Sequence, residues 1–441
     1  MVAAVTHLRH TDRRDRSFRV GLFHWGIDMR IAVGLLVFLI GVPLVGGENW
    51  PRFRGPDGSG ISDEKGFPLH WDEEDFVWKT ELPGIGQSSP CVWGEHVFLT
   101  SAKDEGRKRY VLDLDVVSGK IRWAYELTLG AQEVHHLASN ASPTPTTEGT
   151  RVYVRFTGSD GVTLLALDFR GELVWKVNLG PFDNRPPQGC GASPVVFDDL
   201  VIIMNSQETA SSIIAVDSAT GKERWKVGRP GQRTCHSTPI VLRRDGVEPQ
   251  LLFSSSADGL GGLDPRSGKI RFRAPLLSGR VVGSPVYADG VVFGTSGGGG
   301  KGRSLAAVSV DSRGDLQEDD AAWTSTRELP YVPTPIAHGG YLYTWADIGV
   351  VKCIIAKTGE KVWLHRVGGA FSASPIWVDE KLYCVTRQGD VVVIQAGPKF
   401  RILARNSLGE ESNSTPAVAG GRMFFRGVKH AFCLPARVDA D

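Results

Sequence analysis

The stretch Ala192-Ser-Pro-Val-Val-Phe-Asp-Asp-Leu-Val-Ile-Ile-Met204, followed by Ser212-Ile-Ile-Ala-Val-Asp-Ser-Ala-Thr-Gly-Lys-Glu-Arg-Trp225, decides the fold. Its first apolar run reads as a strand. Asp198-Asp199 is a turn, and Leu200 to Met204 returns as a second strand. Ile213 to Val216 is a third. Asp217 to Lys222 turns again, with Gly221 in the left-handed position that glycine tolerates. A fourth strand carries Trp225. Four antiparallel strands in about 45 residues make one propeller blade.

Working outward, a Ser/Thr/Pro-rich step ending in proline precedes an apolar run eight times, at Pro90, Pro143, Pro194, Pro239, Pro285, Pro335, Pro375 and Pro416. Counting along the chain gives gaps of 53, 51, 45, 46, 50, 40 and 41 residues. That period, with β-branched strands in each unit, predicts an all-β, eight-bladed β-propeller of four-stranded antiparallel blades. The prediction makes 48–441 one domain.

The turn and tryptophan recur. Asp115-Val-Val-Ser-Gly-Lys-Ile-Arg-Trp123 is a full copy, and Asp168-Phe-Arg-Gly-Glu-Leu-Val-Trp175 is a shortened one. Asp264-Pro-Arg-Ser-Gly-Lys-Ile-Arg-Phe272 substitutes phenylalanine. Asp311-Ser-Arg-Gly-Asp315 makes a longer excursion before Trp323, and Lys357-Thr-Gly-Glu-Lys-Val-Trp363 lacks the Asp. The copy around Ala396 to Leu403 lacks both. A large ring at a fixed place in each unit docks one blade on the next, so Trp123, Trp175, Trp225, Phe272, Trp323 and Trp363 are assigned to blade docking. The Asp fixes its turn through side-chain to backbone bonds. One carboxylate per turn is too few for Ca²⁺, and no metal site is assigned.

The last unit, Ser414 to Leu434, holds three strands and no tryptophan strand. Phe76-Val-Trp-Lys-Thr-Glu-Leu82 supplies the missing one from the N-terminus, with Trp78 as its docking residue. Pairing the two ends removes a free sheet edge.

Fifty basic and 49 acidic residues leave a net charge of +1 and no polybasic footprint, which excludes nucleic acid as a partner class. Arg30 precedes an apolar run from Ile31 through Val45 that ends in Gly46-Gly47. This run reads as a secretory signal and is too short for a comfortable membrane span of ~20 residues. Residues 1–47 are therefore assigned to an extension and signal peptide, with Met29 as a candidate true start. The mature chain is expected to be periplasmic or extracellular and to have no membrane span. Six cysteines lack framework spacing, and Cys91, Cys353, Cys384 and Cys433 sit in strand-like runs as small hydrophobes.

The string Ala215 to Trp225 resembles the tryptophan-docking repeat of the PQQ-like propellers. That superfamily includes the quinoprotein alcohol dehydrogenases and outer-membrane-assembly propellers of BamB type. The opening Asn49-Trp-Pro-Arg-Phe-Arg-Gly-Pro-Asp-Gly-Ser-Gly60 and the closing Leu403 to Glu410 and Ser414 to Ala417 are similar to secreted PQQ-like repeat proteins of planctomycete-type bacteria. For a quinoprotein dehydrogenase the resemblance implies a quinone, a Ca²⁺ held with Glu and Asn, an Asp base and an adjacent cysteine pair. No Cys-Cys occurs here, and no residue matches the other roles. No cofactor is expected, and PQQ with Ca²⁺ remains the alternative. No Gly-x-Ser-x-Gly, His-Glu-x-x-His or phosphate loop occurs either. Gly297 to Arg303 reads as a surface loop.

The residues just ahead of the innermost strands are expected to ring the mouth of the central channel: Gln87, Asn140, Cys190, Cys235, His236, Tyr331, Phe371 and Asn413. Among them Cys190, Cys235 and His236 form the sharpest cluster, paired, redox-active or metal-holding. His135-His136 are adjacent and share a metal only if they lie in a loop. The leading expectation is a binding or scaffolding module for envelope or extracellular proteins or a small ligand. A quinone oxidoreductase and an outer-membrane assembly factor are the alternatives.

Overall fold

The computed structural model describes residues 49–298 and 303–437. The proposed signal peptide, and with it Met29, lies outside them. Eight sheets, each built on four antiparallel strands and two of them with a short parallel fifth, follow one another around a central channel. Their inner strands are Cys91–Trp93, Thr146–Thr147, Val195–Phe197, Ile240–Arg244, Val286–Ala288, Ile336–His338, Ile376–Val378 and Ala417–Ala419. We number the blades 1 to 8 in that order. Each inner strand begins directly after a proline. In blade 2 that residue is Pro145, not Pro143: two prolines share the step Ser-Pro-Thr-Pro, and register selects the second.

The reason is a closed ring of hydrogen bonds at the residue before each proline. The backbone N–H groups of Ser89, Thr144, Ser193, Thr238, Ser284, Thr334, Ser374 and Thr415 each donate to the hydroxyl of the next member, with Thr415 returning to Ser89, at 2.9–3.1 Å. A residue before proline is held extended, which turns its N–H away from its own sheet and toward the neighbouring blade. Serine and threonine alternate strictly around the ring.

At the outer strands, the indole N–H of Trp123, Trp175, Trp225, Trp323 and Trp363 donates to a turn carbonyl of the following blade at 2.9–3.1 Å. The turn glycine lies flat on that ring. A Cβ on Gly221, at φ +71°, would sit 2.7 Å from Trp175. Glycine is thus needed twice there, for the backbone angle and for the indole. Asp217 accepts from the Thr220 N–H and hydroxyl, as its turn role requires.

Where the repeat degenerates, other segments fill in. Phe272 has no side-chain N–H to donate. The excursion after Asp311 instead lays a fifth strand, Gly314–Asp315, along Phe272 and Arg273, and buries Leu316 in the same apolar cluster. Blade 7 has Ala404 where others have tryptophan. Phe67 and Trp71 from the N-terminal segment pack into the separate apolar cluster that contains Ala404, and Asn406 bonds the Trp71 N–H and the Leu69 carbonyl. Trp78–Glu81 completes blade 8 by pairing with His430–Pro435. The Trp78 indole donates to the Val116 carbonyl of blade 1 at 3.0 Å. The same docking bond therefore closes the circle.

Candidate functional site

A cavity of about 460 Å³ opens at one end of the channel, over the hydroxyl ring. Five of the eight expected mouth residues line it: Gln87, Cys190, His236, Tyr331 and Asn413. Three do not. Asn140 turns behind the wall, where its Oδ1 accepts from Arg109 and its Nδ2 donates to the Gln132 carbonyl. Phe371 is buried against Trp345, ring centroids 5.3 Å apart, and its neighbour Ser372 faces the cavity instead. Cys235 points into the apolar cluster of blade 4, its sulfur 3.2 Å from Ser256 Oγ.

Cys190 and Cys235 are both free thiols, like all six cysteines. Their side chains point to different places, so the geometry does not join Cys190, Cys235 and His236 into one cluster. Among the described residues no group of three His, Cys, Asp or Glu side chains could hold a metal. His135 and His136 do lie in a turn, with ring centroids 4.1 Å apart, and His135 lines the cavity.

Sequence reasoning missed two features of the site. The first is its floor. The segment after Asn49 crosses the channel just beyond the ring. Trp50 pairs with Val92 of blade 1, the Pro51 carbonyl accepts the Thr147 N–H of blade 2, and the Gly60 carbonyl accepts the Trp377 N–H of blade 7. Arg52 donates to the Pro239 carbonyl at 2.7 Å. Arg54 donates to the carbonyls of Thr334, Pro335 and Pro375, spanning blades 6 and 7. Between them Phe53 reaches into the cavity. The channel is thereby stopped, and the mouth becomes a blind pocket. Burial lowers the pKa of Arg54 to about 9 and that of Arg52 to about 10, so both remain cationic near neutral pH.

The second feature is Arg280 on the wall. Its Nε donates to the Thr234 carbonyl (2.9 Å), Nη1 to Gln188 Oε1 (2.8 Å) and Nη2 to Glu208 Oε1 (3.4 Å). Burial, then Arg280 and Arg155, push the His236 pKa down to about 4, so this imidazole is neutral. His135 is lowered by burial, by His136, and by Arg280 and Arg387. Nothing short-range marks Phe53 or Arg280. Both matter only because the closed ring brings distant segments together.

Residues 69–226, 209–344 and 347–439 match the family model described as outer membrane protein assembly factor BamB. No curated protein matches the sequence significantly. The fold is similar to BamB from Moraxella catarrhalis, with TM-score 0.56, 16% identity, and 81% of this chain and 99% of that chain covered. It is similar to a quinohemoprotein alcohol dehydrogenase from Comamonas testosteroni, with TM-score 0.60, 12% identity, and 89% and 81% covered. It is also similar to a europium-containing methanol dehydrogenase, with TM-score 0.53, 13% identity, and 87% and 88% covered. At these identities the likenesses concern the fold. The family match spans most of the wheel, and the chain belongs to the PQQ-like propeller family described by outer membrane protein assembly factor BamB.

Proposed function

We propose that this protein is an exported binding module that holds a small ligand in its mouth cavity and meets envelope or extracellular proteins with its rim. The blind cavity carries the reading. A rigid wheel walls it, its floor is built from the chain's own N-terminal segment, and polar groups converge on an apolar lining, the usual form of a ligand seat. Rim loops on a stiff scaffold suit partner recognition, and the BamB description of the family supports a protein partner in the envelope. Among the described residues no helix is long and apolar enough to cross a membrane.

The fit of a quinone with Ca²⁺ can be tested on the cavity's donor set. Calcium seeks six to eight oxygens, carboxylates foremost. No Asp or Glu lies among the residues lining the cavity. The residues present do not fit the pair, and no redox step is derived.

The test is native mass spectrometry of the full chain purified gently from its own host, beside a version with Tyr331→Ala and Asn413→Ala. An adduct that denaturation releases and the double variant loses is expected. Bare protein from every preparation, with no rim-dependent partner on cross-linking, would sink the reading.

A further inference from the structure

We infer that the mouth cavity selects a small organic anion, an acid group carried on an apolar body. This rests on the binding reading above and adds the charge class. Arg280 places a guanidinium on the wall, and no carboxylate lines the cavity. Three of its five N–H donors are spent on the partners already named. Glu208 offsets that one charge. Other buried cations stand close by with neutral partners only. Arg52 and Arg54, under the floor, donate to carbonyl oxygens, and Arg155 donates to the Met204 carbonyl and Asn205 Oδ1. Asp57 compensates the floor pair in part.

Low-dielectric walls focus such a field into the cleft. Burial first, with the neighbouring arginines adding to it, lowers the pKa of both His236 and His135. The hydroxyl ring adds donors. Each hydroxyl oxygen accepts one N–H, and none donates to another protein group among the described residues. Seven of the eight, all but Ser284, line the cavity, and their O–H groups are left for whatever enters. The apolar body has its counterpart in Phe53, Leu137, Val282 and Val332. A cation is disfavoured by the guanidinium, and a neutral acceptor can satisfy the hydroxyls but gains nothing from the positive charge of Arg280.

Three shape-matched probes test this on the full chain at pH 7.5: 2-naphthoate, 2-naphthalenemethanol and 2-naphthylmethylammonium, each by calorimetric titration and by melting shift. The expected order is naphthoate about tenfold tighter than the alcohol, with no binding of the ammonium. Added salt weakens only the naphthoate. Gln188→Glu sets a carboxylate on Arg280 without removing any arginine. It should bring naphthoate down to the level of the alcohol measured on the same variant. Equal binding of all three probes would overturn the charge inference and leave the cavity a binding site. Binding of none would overturn the inference, and the binding reading then stands or falls on the native mass spectrum alone.

Discussion

Single residues do two jobs in this wheel, and the tryptophans show it best. Trp175 is buried, and its N–H reaches the Ser218 carbonyl of the next blade at 2.9 Å. Trp175→Ala should cost about 3–5 kcal/mol in urea unfolding. Trp175→Phe keeps much of the packing, loses one donor and strands one carbonyl, and should cost about 1–3 kcal/mol. Equal losses in the two variants would refute the docking bond. His236 sets a pH dependence. Its pKa falls from 6.5 to about 4 on folding, chiefly through burial. Between those values the unfolded chain binds a proton that the native chain does not. Stability is therefore full above pH 6.5 and declines as pH falls toward 4. His236→Asn should flatten that decline, measured as the urea midpoint against pH. Retention of the wild-type slope would show that His236 is not its source. The tryptophans were legible because each unit repeats its turn and ring at fixed spacing. His236 was named from its place before a proline, and Cys235 was named with it. Adjacent side chains diverge, and only the wall's curvature decides which one faces the channel.

At the scale of elements, the inner strands owe their positions to the step before each proline. Thr238 accepts the Ser193 N–H at 3.0 Å and is buried. Thr238→Val keeps the shape and strands that donor, so stability should fall by about 1–3 kcal/mol. Thr238→Ser should restore most of it. If both variants unfold alike, the hydroxyl ring has no energetic role. The eight steps were readable in sequence, and one was misassigned by two residues. Pro143 and Pro145 are equivalent as punctuation. What separates them is whether a hydroxyl meets an N–H on the next blade, a relation that single-strand patterns do not contain. The fifth strand on blade 4 escaped for the same reason. Gly314–Asp315 is too short to show a period, and its place follows from the uncovered edge at Phe272.

For the whole molecule, residues 49–82 hold together what the repeat alone leaves open. They stop the channel, fill the gap at Ala404 and supply the outer strand of blade 8. Deleting 48–82 should replace one sharp melting transition by a broad one in calorimetry. A sharp transition of undiminished enthalpy would contradict closure by this segment. The outer strand was foreseeable, since a three-stranded final unit needs a partner. The stopper was not, because Arg52, Phe53 and Arg54 acquire meaning only inside a completed circle.

Such an order of assembly has a kinetic corollary. Arg54 emerges early in synthesis yet waits for Pro335 and Pro375, and Trp78 waits for Cys433. Domains that finish from the N-terminus onward gain stability as they are made. Here the opening residues are satisfied only once the closing ones exist. Closure of the circle therefore has to wait until the tail of the nascent polypeptide is made.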